Sequence, residues 1–130
     1  MDKTSKSKGN IKKNEFSPKL VIGMTENVTI FGKKKELKLV GRIDTGAAKS
    51  SIHSDIVKDL DLGPVLSVKQ VKNANGISLR PVIEAQISIH NKKIKSLFTV
   101  TDRSHMNYQI LIGRNVLNQG FLIDPSLSDE

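Results

Sequence analysis

Apolar residues begin to recur in strand fashion near residue 20. Leu20-Val21-Ile22 and Val28-Thr29-Ile30-Phe31 form two β-branched runs, and Leu37, Leu39 and Ile43 then alternate with polar neighbours. The polar stretch 32–36 between them reads as a turn, so 20–43 predicts strands folded into a hairpin whose last strand runs straight into Asp44. Residues 49–52 restart a strand. A short helix follows, with Ser54 or Asp55 as its cap, Ile56, Val57 and Leu60 on its apolar face, and Gly63-Pro64 as its end. Residues 65–89 predict a longer hairpin with a polar tip at 72–76, where Asn75-Gly76 is the turn pair. Pro81 cannot donate to a ladder, which places it at an edge or a bulge. A turn at Asn91-Lys92-Lys93 leads into a strand over 94–101. Ile110-Leu111-Ile112 is a further strand, ended by Gly113. Residues 114–119 have helical spacing with Gly120 as the stop, and 121–124 form a last strand before Pro125.

Composition narrows this picture. The chain has 130 residues, enough for one domain with its own core. Residues 1–17, rich in Lys, Ser and Asn, read as a disordered tail, and 18–130 as the folded domain. Cysteine is absent, which excludes disulfides, thiolate nucleophiles and cysteine-ligated zinc. No apolar run approaches the roughly 18–20 residues a membrane span needs, and no apolar stretch follows the basic N-terminus as in a signal peptide. A cytoplasmic protein that does not enter a membrane is the expectation.

The formal net charge is +8, partly from Lys3, Lys6, Lys8, Lys12 and Lys13. Such a balance favours anionic partners of any kind. Nucleic-acid binding usually interleaves bases with aromatics, and one Tyr, four Phe and no Trp argue against it.

The chemistry gathers around "RIDTGAAKSSI" at 42–52 and "ILIGRNVLNQG" at 110–120. These stretches resemble the retropepsin-like aspartic proteases, which carry one Asp-Thr/Ser-Gly loop per subunit and a late apolar-Gly-Arg-helix element. More narrowly, the chain is similar to the bacterial and archaeal family labelled ATP-dependent zinc proteases. It shares that family's opening at Ile22, Gly23, Thr25, Glu26 and Val28, and the loop pattern that ends at His53. It also shares Arg80-Pro81-Val82 and the "LIGR…FLIDP" ending.

The resemblance implies an all-β, retropepsin-like barrel with one or two short helices, built as one subunit of a homodimer. Amide hydrolysis without a metal needs one carboxylate to take a proton from water and another to hold a proton near the carbonyl oxygen. Two carboxylates about 3 Å apart share a single proton, because both cannot ionise together. One Asp-Thr-Gly per chain therefore requires two copies, with Asp44 of each meeting at a two-fold axis.

In this reading Asp44, Thr45 and Gly46 are the catalytic loop, with Thr45 bonding across the axis as the resemblance implies. Ala47, Ala48 and Lys49, the hairpin tip Asn73, Ala74, Asn75 and Gly76, and Arg80 are expected to face substrate, the hairpin acting as a flap. Gly113, Arg114, Asn115 and His53 are expected to support the loop. In retropepsins the Arg usually pairs with an Asp just after Asp-Thr-Gly-Ala. Here that position is Ala48, so Arg114 needs another partner.

Lys49 and Arg80 predict a cationic cleft suited to a peptide or protein substrate with acidic, glutamate-rich tails. The narrower family's association with ATP-grasp glutamate ligases points the same way. No HExxH-type spacing surrounds His53, and no Gly-rich phosphate loop is present, so neither metal nor cofactor is expected. Two other readings stand beside the peptidase. One is a catalytically silent module of the same fold that binds an acidic or nucleic-acid partner. The other is a zinc hydrolase that depends on His53.

Overall fold

The computed structural model describes residues 18–127. The tail expected over 1–17 lies outside the described residues. The chain runs β1 (Leu20–Ile22), β2 (Thr25–Phe31), β3 (Glu36–Ile43), β4 (Ser50–His53), α1 (Ser54–Leu60), β5 (Val65–Asn73), β6 (Gly76–Ile89), β7 (Lys92–Thr101), β8 (Ile110–Ile112), α2 (Arg114–Leu117) and β9 (Phe121–Ile123). Strands pair in the order β2-β3-β8-β4-β7-β6-β5, and a further β2–β6 pairing closes the first six into a barrel. Closure removes the sheet edges that would otherwise lie open, and leaves β5 outside the ring as the free arm of a hairpin. A separate parallel pair joins β1 to β9.

The barrel interior is filled mainly by β-branched residues, as the strand-favouring composition requires. Val28, Ile30, Ile43, Ile52, Ile83, Ile87, Ile89, Ile110 and Ile112 are all buried, with Phe98 the largest side chain among them. Ile56 and Leu60 carry α1 onto this core, while Val116 and Leu117 do the same for α2.

Several local expectations shift by a residue or two, each for a stated cause. The N-cap of α1 is His53, in extended conformation and with no side-chain cap bond, rather than Ser54 or Asp55. The long hairpin turns through Ala74-Asn75, not Asn75-Gly76. Asn73 Oδ1 accepts the Asn75 N–H at 2.9 Å, and Gly76 opens the returning strand opposite Asn73. The β6–β7 connection is His90-Asn91, both left-handed at φ 51° and 66°, as a two-residue hairpin of that twist demands. His90 is held in this conformation by Glu26, whose Oε1 lies 2.8 Å from Nε2. The α2 helix is a single turn ending at Leu117. Pro81 lies one residue past the last β6–β7 pair, so its missing N–H falls where β6 has lost that neighbour. The irregular register is between Val65 and Ser67 instead.

Candidate active site

The end of β3 delivers Asp44 beside β8. Its backbone N–H donates to the Ile112 carbonyl at 2.8 Å, so the loop starts pinned to the late strand. The Gly46 N–H donates to Asp44 Oδ1 at 2.9 Å, and this bond fixes the carboxylate's orientation. A side chain at Gly46 would bring a Cβ to 3.3 Å from that same oxygen, tighter than ordinary contact.

The next residues of the loop are bound by Gly113-Arg114-Asn115. The Arg114 N–H donates to the Ala47 carbonyl at 2.8 Å and the Asn115 N–H to Ala48 at 3.3 Å. Arg114 Nη1 donates to the Thr45 carbonyl at 3.0 Å. That carbonyl is the partner Arg114 takes where Ala48 offers no carboxylate. Gly113 lies so close under the loop that a Cβ there would collide with the carbonyl groups of Lys49 and Ala47.

Beneath the loop is a polar knot in which Asn115, expected as a support, is joined by Ser50, which was not. Ser50, fully buried, accepts the Gly113 N–H at 2.9 Å and donates to Asn115 Oδ1 at 2.8 Å. Asn115 Nδ2 donates to Ser96 Oγ at 3.0 Å and to the Leu97 carbonyl at 2.9 Å. These bonds tie the start of β4, the start of α2 and the middle of β7 into one unit under Asp44. The available signal was parity: Ser50 and Ile52 point to the same, inward side of a strand, where a lone hydroxyl needs a partner.

Thr45, Gly46, Ala48 and Lys49 are exposed, so the tied-down loop presents an open outer surface. Beside it a cleft of about 300 Å³ runs between the loop and the hairpin, lined by Lys49, Val68, Lys69, Val82, Leu97 and Thr99 among others. Arg80 does not line this cleft; Lys69, its cross-strand partner, does. The tip residues Asn73, Ala74, Asn75 and Gly76 stand exposed at the end of the hairpin, away from the cleft lining.

His53 belongs to a different network. Its ring is buried, and Nδ1 accepts the Arg103 N–H at 2.9 Å, which leaves Nδ1 unprotonated. Asp55 Oδ2 lies 3.4 Å from Nε2, and Asp102 Oδ1 3.8 Å from Nδ1. Hydrogen bonds from Ser104 hold the exposed Asp102 carboxyl below its ordinary value. Among the described residues no three His, Asp or Glu side chains converge as a metal's ligand set would require, so this donor set does not fit zinc. Nor is any helix among the described residues long and apolar enough to cross a membrane.

Comparisons with known proteins agree on the architecture. A Legionella pneumophila protein of unknown function, Lpg0085, superposes with a TM-score of 0.58 at 19% identity, over 84% of this chain and 95% of that one. The protease of simian foamy virus superposes with a TM-score of 0.55 at 16% identity, over 72% of this chain and 91% of the viral one. At these identities the likeness is one of fold, and it is the retropepsin-like fold.

In sequence, a protein of Shewanella halifaxensis named "Probable alpha-L-glutamate ligase" is 29% identical over 67% of this chain and 24% of its own length. A like-named protein of Parasynechococcus marenigrum is 28% identical over 68% and 24%. The chain thus spans about a quarter of the length of these relatives. Residues 59–129, more than half of the chain, match the family described as "Retropepsin-like aspartic endopeptidase RimB". The matched stretch holds the hairpin, the cleft-lining strands and Gly113-Arg114-Asn115, and begins after the Asp44 loop that those residues bind. On this match, and with the fold in agreement, the chain belongs to the RimB-like family of retropepsin-like aspartic endopeptidases.

Proposed function

We propose that the protein is an aspartic peptidase that works as a homodimer, with Asp44 of each subunit sharing one proton across the two-fold axis. The observation that carries this reading is the state of the loop. Its backbone is fixed by bonds from Asp44, Arg114 and Asn115, while Thr45, Gly46 and Ala48 stay exposed. Rigidity of this kind is what positions a reacting group, and it would be wasted on an ordinary surface turn. One carboxylate of the pair takes a proton from water as the oxygen attacks the amide carbon. The protonated partner donates toward the carbonyl oxygen.

The substrate we propose is a peptide or protein tail rich in acidic residues. Lys49 and Lys69 line the cleft, and the relatives named as glutamate ligases each hold a region similar to this chain. A functional link to glutamate ligation is part of the proposal. The hairpin of β5 and β6 closes over bound peptide and excludes water.

Asp44→Asn tests the reading. It is expected to abolish hydrolysis of a glutamate-rich peptide while leaving the melting temperature close to that of the parent. Undiminished hydrolysis by the variant would refute it. A catalytically silent binding module predicts no hydrolysis by either protein.

A further inference from the structure

The fold leaves the charge of Arg103 unanswered. This residue is only 8% exposed. Its Nε donates to the Tyr108 carbonyl at 2.9 Å, and its Nη1 reaches Ser51 Oγ at a long 3.5 Å. No described carboxylate lies within ion-pair distance of it. Burial, and then the like charge of Arg80, holds the guanidinium below its ordinary value, yet an arginine stays charged at any physiological pH. A buried charge without a counter-ion is costly, and proteins keep such groups where something else supplies the opposite charge.

The remaining guanidinium nitrogen, Nη2, bonds to no described residue and is not sealed off. Among the described residues the one fully buried side-chain polar atom lacking a partner is Ser78 Oγ. A donor edge is therefore open to a ligand.

Strand register says where that edge lies. Ser51 pairs with Thr99, and Thr99 pairs with Val82, so the three form one row across β4, β7 and β6 on a common face. Thr99 and Val82 line the cleft beside the Asp44 loop, and Ser51 continues their row one strand further, so Arg103, 3.5 Å from Ser51 Oγ, lies beyond the lining residues at the end of that row. Arg80 is two residues from Val82 on the same strand and shares its face, opposite Lys69. None of Lys49, Lys69, Arg80 and Arg103 pairs with a described carboxylate.

We propose that Arg103, flanked by Arg80, is a specificity-determining residue that binds the side-chain carboxylate of a glutamate or aspartate in an extended peptide that leaves this cleft along the Val82–Thr99–Ser51 row. The planar guanidinium edge matches a carboxylate, whereas a glutamine offers it only a neutral carbonyl. The proposal rests on the peptidase reading for the identity of the ligand, not for the existence of the subsite.

Binding separates the two. In the Asp44→Asn background, where turnover cannot interfere, calorimetry at low salt compares a capped glutamate-rich peptide with its glutamine counterpart. The glutamate peptide is expected to bind about tenfold more tightly or better. Arg103→Met should bring the two peptides to near-equal affinity, and Arg80→Gln should narrow the gap. Equal binding of both peptides by the parent, or a preference that survives Arg103→Met, would overturn the proposal. Should Arg103→Met fail to fold by circular dichroism, Arg80→Gln decides, and an unchanged preference in that variant counts against the subsite. A protein that discriminates the peptides yet cleaves neither with Asp44 intact would sink the peptidase reading and leave the subsite standing.

Discussion

Arg114 donates from Nη1 to the carbonyl oxygen of Thr45 at 3.0 Å, so a late helix holds the Asp44 loop by its main chain. The bond is exposed, and its net worth to folding is about 0.5–1.5 kcal/mol. Under the proposed dyad its worth to activity is larger, because the adjoining carboxylate would have to meet its mate within a narrow geometry. Arg114→Met is expected to lower folding stability by no more than that range while cutting kcat/KM by about tenfold to a hundredfold. Peptide hydrolysis assays beside thermal melts check this. A loss of activity no larger than the loss of stability explains would contradict it.

Ser50 serves folding. Its hydroxyl is the acceptor for the Gly113 N–H, and it donates to Asn115 Oδ1, all of it inside the domain. Ser50→Ala leaves that N–H without a partner, at a cost of about 1–3 kcal/mol. Urea unfolding measures it. A variant as stable as the parent would show that the knot under the loop is not needed.

The strands, both helices and the Asp44 loop were legible because each depends on local pattern. Alternation marks the half-buried strands β2 and β3, and Gly63-Pro64 and Gly120 mark the ends of the helical segments. What escaped depends on residues far apart in the chain. Ser50 meets Asn115 across 65 positions, and Arg103 meets Ser51 across 52, and neither segment announces its partner. The turn at His90-Asn91 was displaced by one residue because Glu26, 64 positions away, supports a histidine where a turn glycine or asparagine is usual. Lys69 was missed as a cleft residue for a related reason. Lys69 and Arg80 pair across β5 and β6 and share a face, and it is the outer strand's Lys69 that reaches the cleft.

His53 is expected to act through packing and not through a metal. Its Nδ1 is the acceptor for the Arg103 N–H, so His53→Ala should destabilise the fold by about 1–3 kcal/mol. Treating the parent protein with a strong chelator should leave peptide hydrolysis unchanged. Activity lost on chelation and restored by added zinc would revive the His53-dependent zinc hydrolase.

Acid should weaken the β1–β9 end of the domain. Asp124 Oδ1 accepts from Ser126 N at 2.9 Å and from Ser126 Oγ at 2.7 Å, and these bonds hold its carboxyl below the ordinary value. A carboxyl lowered in the folded state contributes stability above its unfolded pKa of about 3.9, and loses it as pH falls through the lowered folded value. Unfolding measured from neutral pH down to strong acid should therefore show a falling slope at the acid end that Asp124→Asn makes shallower. An identical slope in the variant would contradict the assignment.

The most direct test of the shared site is to mix subunits. Active protein and Asp44→Asn protein are combined in varied ratios at fixed total concentration, allowed to exchange, and assayed for peptide hydrolysis. If both carboxylates are needed, only pairs with two intact subunits work and the rate follows the square of the intact fraction, about one quarter at equal mixing. A rate that falls in simple proportion, to about one half at equal mixing, would mean that each chain carries a complete site and would contradict the account.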